Sequence, residues 1–411
     1  MSDSMKWANA FSTRPSLEAA VNEVVETARE SLACKPDLGI IFISAAFASE
    51  YPRLMPLLAE QLPEPILIGC GGGGAIGSGP VGAEAQEVER SPALSLTLAR
   101  LPEVEITTFH LLEADLPDLD ASPDRWAEAI GVFPEAQPKF ILLADPFSSQ
   151  INNLLQGIDY AYPGSVTIGG LASAGSSNLG MSLFSNNRHY QEGTIGVALS
   201  GKIVIETIVA QGCRPIGQPY RIIQGERNVL LQLQPDSERS ATTAAQTPLE
   251  ALQSIIQTLN PEDRQLAQHS LFIGLVRDEF KPDLDRGDFL IRNIIGIDPR
   301  LGAIAIGDRV RPGQRIQFHL RDARTSAEDL EMWLQKRQGD AAGALLFSCL
   351  GRGEGLYGKP NFESQLFDRY FKDVPLGGFF CNGEIGPVGE STFLHGYTSV
   401  FGICHEIGNY A

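Results

Sequence analysis

The sequence predicts an α/β chain with mixed, α+β-type sheets: a duplicated β-α-β-β-β N-terminal unit followed by a C-terminal mixed α/β unit. Three observations carry this. Short apolar runs bounded by small residues alternate with stretches of helical spacing. The same runs return at a constant offset of 100 residues. Glycines, 42 among 411 residues, cluster where those runs end, as tight turns and close backbone approaches require. With 43% hydrophobic and 20% charged residues the chain can bury a sizeable core, which excludes a disordered polymer.

The first copy covers about 38–111. Ile40-Ile41-Phe42-Ile43 is a buried-strand run, Leu54, Leu57 and Leu58 stand at helical spacing, and Ile66-Leu67-Ile68-Gly69 is the next strand. A small-residue loop, 70–74, follows, and two strand runs at 94–100 and 104–110 close the copy. The second copy covers about 138–210, with Phe140-Ile141-Leu142-Leu143, then Leu154, Leu155 and Ile158, then Val166-Thr167-Ile168-Gly169 and the loop 170–175. Runs at 194–199 and 202–210 close it. Each β-α-β is expected to be a right-handed crossover between parallel strands. Each closing pair is expected to form an antiparallel hairpin, Gly201 permitting the tight turn in the second copy. Helices are expected to cover one face of each sheet. An N-terminal domain is thus read over 35–233.

The polar segment 234–247 reads as a linker, and a second domain over 248–405 follows. Leu249, Leu252, Ile255 and Ile256 mark an amphipathic helix, and strands are expected at 271–276, 289–297, 302–306 and 315–320. Thr325 or Ser326 is expected to cap a helix containing Leu330, Met332, Trp333 and Leu334. The β-α-β theme then recurs as strand 344–349, helix 361–371, a run 374–378 that leads into the strand at Phe379-Phe380, and a closing strand near 397–404. Aligned this way, Cys349 falls where Ala45 and Asp145 stand in the other copies.

The net charge of −18 repels nucleic-acid phosphates and anionic membranes, so neither is an expected partner. No stretch approaches 18 uncharged apolar residues, and the first 16 residues lack a signal-peptide run. The six cysteines, at 34, 70, 213, 349, 381 and 404, form no CxxC and no zinc-finger spacing. They read as free thiols of a reducing compartment, so a cytoplasmic protein without a metal or other cofactor is expected. Two GxGxxG matches, at 69–74 and 353–358, lack the strand-helix-acid context of a dinucleotide site, and no Walker-type phosphate loop occurs.

Ligands of open α/β units bind outside the carboxyl ends of parallel strands. The C-terminal unit carries the richest chemistry there: Cys349, Arg352, Glu354, Cys381, Asn382 and Glu384, with His395 downstream. Arg352 lies between two glycines and suits a bidentate clamp on a carboxylate. Asn382 both donates and accepts, and Glu384 suits an ammonium group, so the set fits a small zwitterion such as an amino acid. The alternative is an internal Arg352–Glu384 ion pair that pins two loops. Asp145, Gly169 and Gly170 form a secondary candidate loop. No catalytic residue is assigned, because a reactive Cys349 or Cys381 needs a neighbouring base that sequence does not place.

The ordered motifs resemble the FIST family, named for F-box and intracellular signal-transduction proteins. They are Phe347-Ser348-Cys349-Leu350-Gly351-Arg352-Gly353, then Asn361 and Glu363, then Gly383-Glu384-Ile385-Gly386-Pro387 and His395-Gly396-Tyr397-Thr398. Asp145-Pro146-Phe147, Gly169-Gly170 and 211–217 are similar to the family in the N-terminal half. The resemblance covers about 38–398, as a FIST N-like domain and a FIST C-like domain. It implies a sensory or interaction module that binds small ligands, amino acids among them, and passes the signal to an output domain. The residues outside the paired domains are too few for such a domain, so a separate partner protein is expected. The loop 70–74 is poorer in polar groups than in relatives, and ligand binding is not expected there.

Three functions follow, in order of preference. The first is a non-enzymatic small-ligand sensor built around Arg352, Asn382 and Glu384. The second is a ligand-free interaction scaffold. The third is a thiol-dependent enzyme using Cys349 or Cys381.

Overall fold

The computed structural model describes the chain except residues 1–3, 80–81, 148–149, 174–180, 237–243, 338–339 and 409–411. Parts of the loops 145–149 and 170–175, and of the linker 234–247, therefore lie outside the described residues. The chain divides into two compact units: Met1–Ala210 with Glu331–Ala411, and Gln211–Leu330.

The first unit is built from three runs of strands and helices. The first run is β1 (Lys6–Ser12), α1 (Leu17–Leu32), β2 (Leu38–Ser44), α2 (Tyr51–Gln61), β3 (Ile66–Gly72), β4 (Gly74–Gly77), β5 (Gln86–Glu89) and β6 (Leu94–Arg100). The second is β7 (Val104–Leu111), α3 (Pro123–Ile130), β8 (Lys139–Ala144), α4 (Ile151–Ala161), β9 (Thr167–Leu171), β10 (Leu183–Ser185), β11 (Arg188–Tyr190) and β12 (Thr194–Gly201), with β13 (Ile203–Ala210) opening the third.

The second unit follows in the chain. It holds β14 (Cys213–Glu226), β15 (Val229–Pro235), α5 (Pro248–Thr258), α6 (Pro261–Leu266), β16 (Leu271–Val276), β17 (Phe289–Asp298), β18 (Ala303–Ile306) and β19 (Arg315–Arg321). The six strands close into a barrel in the order β14-β15-β18-β17-β16-β19, which leaves no sheet edge. Phe289, Ile304, Ile316 and Phe318 are buried in it. Helix α5 starts with a capping box, the Glu250 amide donating to Thr247 Oγ1 at 3.3 Å and the Thr247 amide to Glu250 Oε2 at 2.8 Å. The segment 234–247 thus begins in a barrel strand and ends in a helix cap, inside this unit.

Helix α7 (Ala323–Gln335) leads back to the first unit. Its cap is neither Thr325 nor Ser326: Asp322 Oδ1 accepts from the Thr325 amide at 2.7 Å, one turn earlier than expected. The third run then continues as β20 (Gly343–Cys349), α8 (Gly353–Tyr357), α9 (Phe362–Tyr370), β21 (Leu376–Cys381), β22 (Glu384–Val388), β23 (Ser391–His395) and β24 (Ser399–Glu406).

The three sheets of this unit share one plan. Their orders are β1-β6-β2-β3-β10-β11, β7-β12-β8-β9-β22-β23 and β13-β24-β20-β21-β4-β5. In each, one parallel pair (β2–β3, β8–β9, β20–β21) sits among antiparallel strands. Each run donates its short hairpin to another run's sheet: β4–β5 joins β21, β10–β11 joins β3, and β22–β23 joins β9.

This corrects the expected closing hairpins. β6 has β1 on one edge and β2 on the other, so β7 has no edge left there and pairs with β12 instead. β12 is likewise held between β7 and β8, and β13 pairs with β24. Gly201 does turn the chain, at φ +105°, but away from its own sheet. The literal β-α-β-β-β unit is therefore not what the strands form. The register also moves one alignment: Ile41, Leu142 and Leu346 face Gly69, Gly169 and Gly378. Counting three residues on, Cys349 corresponds to Ser44 and Asp145, not to Ala45.

Helix α1 begins at Ser16, whose side chain accepts from the Ala19 amide, and buries Leu17, Ala20, Val21, Val24, Val25 and Ala28 as one stripe. With α2 it covers one face of the first sheet. Helices α3 and α4 cover the second, where Gly157 lets the Trp126 indole lie directly on the α4 backbone. The opposite faces of all three sheets meet in one core containing Phe42, Leu143, Val197, Phe347, Phe379 and Val400. At roughly 25 cal/mol per Å² of apolar surface, this shared interior is the main force holding the three sheets together.

Candidate functional site

The parallel strands β20 and β21 end side by side at Cys349 and Cys381, which face each other in register. Two residues later the chain has changed sheets: Gly383, at φ +150°, turns it into β22, where Glu384 pairs with Gly170 of β9 and with His395 of β23. The hairpin exchange thereby joins the predicted site and the secondary loop. A Cβ on Gly170 would stand 2.5 Å from Cys381 Sγ, and Gly169 passes flush against the Leu142 carbonyl. Asp145 continues from the end of β8 beside this strand pair, its Oδ1 accepting from the Phe147 amide at 2.9 Å. Burial raises its carboxyl above the ordinary range, the Phe147 amide opposing.

Arg352 is fully enclosed, and its partner is not Glu384. Its Nε donates to Glu363 Oε1 at 2.6 Å, Nη2 to the Tyr357 hydroxyl at 2.6 Å, and Nη1 to the Tyr397 carbonyl at 3.0 Å. Glu363, also fully buried, takes further bonds from Tyr357 Oη (2.8 Å), Ser348 Oγ (2.7 Å) and Ser399 Oγ (2.6 Å). Burial alone would push Glu363 up, but the Arg352 charge and those hydroxyls outweigh it and hold the carboxyl below its ordinary range. Arg352 therefore works as a positioning group. By holding the Tyr397 carbonyl, at a residue with φ +58°, it fixes the turn whose next amide, Thr398 N–H, donates to Glu384 Oε2 at 3.0 Å.

Glu384 is fully buried, and its Oε1 has no hydrogen-bond partner. Burial, with the Glu363 charge, pushes it up to about 8 against the pull of the Thr398 amide, Cys349 and Arg352. Glu87 on β5 is similar: burial and the Glu363 charge push it up to about 7, although the Ser364 amide donates to it at 2.6 Å. Three buried carboxyl groups thus lie in one network with a single guanidinium, which bonds Glu363, while burial pushes Glu87 and Glu384 up. The Cys381 thiol is pushed well up, first by burial and then by Glu384, and Cys70 is pushed up by burial. The six cysteines are free thiols.

The remaining predicted residues lie at the rim. Asn382 is exposed, with its amide donating to the Leu171 carbonyl at 3.0 Å. Glu354 is exposed, its amide donating to Glu89 Oε1 at 2.9 Å. His395 is buried, its Nε2 3.0 Å from the Gly386 carbonyl. Four network residues, Glu363, Tyr357, Tyr397 and Glu87, were not singled out as site residues. For Glu363 a signal existed, an acid on the helix face that also buries Leu366 and Phe367. For Glu87 none did, because it reaches the network through a strand donated from 276 residues away.

These features define a class: a mixed α/β module with an enclosed polar network at converging strand ends. Among the described residues no helix is long and apolar enough to cross a membrane. The FIST N domain model matches residues 37–235 and the FIST C domain model matches 248–387, so the chain belongs to the FIST family. FIST domains are sensory and signal-transduction domains. The chain is 32% identical over 393 residues to an uncharacterized protein of Mycobacterium tuberculosis, covering 94% of this chain and 96% of that one. It is 22% identical over 358 residues to an F-box/LRR-repeat protein of Arabidopsis thaliana, covering 75% and 66% respectively. Among solved structures, a cyanuric acid hydrolase from A. caulinodans aligns over 97% of this chain and 99% of that one, at 11% identity. Its TM-score of 0.32 carries no argument about this protein.

Proposed function

We propose that this chain is a non-catalytic sensory module of the cytoplasm that takes a small polar metabolite, amino acids foremost, at the strand ends around Glu384, and signals through a separate partner protein. The observation that supports it best is the Glu384 Oε1 atom, buried and unpartnered beside Cys349, Cys381 and Gly170. An unmet buried polar atom costs about 1–3 kcal/mol, which a hydrogen-bonding group of the ligand would recover. Asn382 and Glu354 stand at the rim for the ligand's outer groups. Arg352 orients the Tyr397–Thr398 turn rather than clamping the ligand. The buried position of the site requires its loops to open, and a ligand that prefers one of the two states would shift their populations. The high thiol values at Cys381 and Cys70 support a non-nucleophilic role.

The saturation of Arg352 by internal partners is the one observation that favours the ligand-free scaffold. A thermal-shift screen with amino acids and related polar metabolites separates the two. The sensor requires at least one compound that raises the midpoint of the wild type and leaves Glu384→Gln unmoved. If no compound moves the wild type, the scaffold stands and the sensor falls.

A further inference from the structure

The net charge of −18 is unevenly divided along the chain. Residues 211–330, the barrel unit, hold nearly half of the 32 basic residues but only about a third of the 50 acidic ones. The excess of carboxylates therefore lies almost wholly in the first unit. Three of the barrel's arginines, Arg227, Arg309 and Arg311, are exposed on adjoining segments. The segment 310–314 runs beside the end of β14: the Val310 amide donates to the Arg227 carbonyl and the Gly313 amide to the Ile222 carbonyl, both at 2.7 Å, and the Ile222 amide donates to the Gln314 carbonyl at 2.8 Å. Val310 is buried against Gly225 and fixes the segment there. Ile223, 41% exposed, lies on the same stretch of β14. Glu226 is the only acid in 222–229 and 309–314, and Asp308 beside them is held by Arg292 at 2.6 Å. None of the three arginines has an ion-pair partner among the described residues.

The loop between β16 and β17 reaches the same surface. Arg221 Nη1 donates to the Gly313 carbonyl at 2.6 Å and lies 3.9 Å from Glu279 Oε2, so one guanidinium touches both segments. The Arg277 amide on the Asp288 carbonyl, at 3.1 Å, closes the ends of the loop, as in an Ω-loop. Its tip is clamped on both sides of Phe280: the Arg315 amide donates to Glu279 Oε1 at 3.0 Å, and Arg315 Nη1 to the Lys281 carbonyl at 2.7 Å. Asp278 Oδ1 accepts from the Phe280 amide at 2.9 Å, so both acids beside Phe280 are engaged internally. The backbone is held while the Phe280 ring stays 94% exposed. A lone exposed hydrophobe needs no explanation. A fixed aromatic, a second apolar side chain and a rim of arginines on one surface have the composition of an interface, and fixing the anchor beforehand lowers the ordering cost of binding.

We propose that this surface of the barrel docks an acidic, amphipathic segment of another protein, with Phe280 and Ile223 taking its apolar side chains and Arg227, Arg309 and Arg311 its carboxylates. A nucleic acid fits less well, because a long polyanion meets the charge of the whole chain and a short segment meets only the local one. The proposal extends the reading that a separate partner takes the signal. Its test does not involve Glu384, so either can fail without the other.

Fluorescence anisotropy of the full chain with a labelled peptide of repeating Glu-Glu-Leu tests it, with repeating Lys-Lys-Leu and oligothymidylate as controls. Saturable binding of the acidic peptide alone is expected. Phe280→Ala, which removes no internal packing, should weaken it by about tenfold. The triple variant Arg227→Asn, Arg309→Gln, Arg311→Gln should weaken it by about as much and remove most of its salt dependence. Asn suits the φ of +55° at position 227. A second triple variant, Arg14→Gln, Arg125→Gln, Arg188→Gln, removes the same charge from exposed sites of the first unit and should bind as the wild type does.

Absence of saturable binding overturns the proposal, as does an unchanged Phe280→Ala. Equal losses in the two triple variants would reduce the effect to net charge and overturn it too. Oligothymidylate binding that Phe280→Ala weakens would give the surface to nucleic acid instead. Sedimentation tests the remaining occupant: a wild-type dimer that Phe280→Ala dissolves would give it to a second copy and overturn the assignment to another protein.

Discussion

The first and third sheets use the same backbone at their strand ends and fill it with opposite chemistry. In the first sheet β2 ends at Ser44, and three residues on the buried Phe47 plugs the space beneath the loop. In the third, β20 ends at Cys349, and three residues on the plug is Arg352, buried with Glu363. The donated hairpins differ likewise: Leu183 faces Cys70, Ala75 faces Phe379, and Glu384 faces Gly170. Of the two frames whose plug is described, one carries an ion network, with Glu384 Oε1 unpartnered beside it. Since a hydrophobic plug serves the first frame at no electrostatic cost, the ionic one is not a requirement of the fold, and that makes it the candidate for function.

Substituting the two plugs should break this comparison most sharply. Arg352→Met leaves Glu363 charged and uncompensated in the interior and should cost about 3–5 kcal/mol of unfolding free energy. Phe47→Leu at the equivalent place should cost about 1 kcal/mol, because the plug stays apolar. Denaturant unfolding of both variants checks this; equal losses would mean that the ionic plug is only packing.

The next effect is of pH. Glu384 titrates higher folded, at about 8, than its ordinary 4.5, so its contribution to stability is greatest below 4.5 and is lost as pH rises towards 8. Glu87 adds the same sign up to about 7. One group holding its proton only when folded lowers stability by about 3 kcal/mol between pH 5 and 7. Unfolding midpoints should therefore fall over that range, and Glu384→Gln should flatten the slope. A slope equal to the wild type's in that variant would show that Glu384 is ionised.

The smallest effect concerns what the sheets share. Gly69 and Gly378 press against the carbonyls of Ile41 and Leu346 in the same way. Alanine at either should cost about 2 kcal/mol, and alike, as an overpacked backbone contact. Markedly unequal losses in calorimetric unfolding would show that the frames are not equivalent.

Much of the strand content was legible. β16 matches its expected bounds, and β2, β8, β20 and β21 fall on the apolar runs that marked them. Periodicity reports a local property, whether a segment is buried on one side or two, and that property survives in the tertiary structure. The closing hairpins were misread because pairing is a competition for edges, and β1 and β2 occupy both edges of β6 from outside the local sequence. The family motifs contained Cys349, Arg352, Glu363 and Glu384, but spacing alone gave no way to choose Arg352's partner. Glu363 lies 11 residues away and Glu384 lies 32, and either distance suits a loop.

By itself, then, the sequence determined the mixed α/β class, the placing of glycines at strand ends, and the concentration of polar chemistry in the last run. Those depend on residue type and near neighbours. Tertiary structure alone decided the hairpin exchange, the closing of Arg352 by Glu363 and Tyr357, and the stranding of Glu384 Oε1. Each of these depends on which distant groups share one water-poor volume, where a missing or extra partner is worth kilocalories that no local pattern encodes.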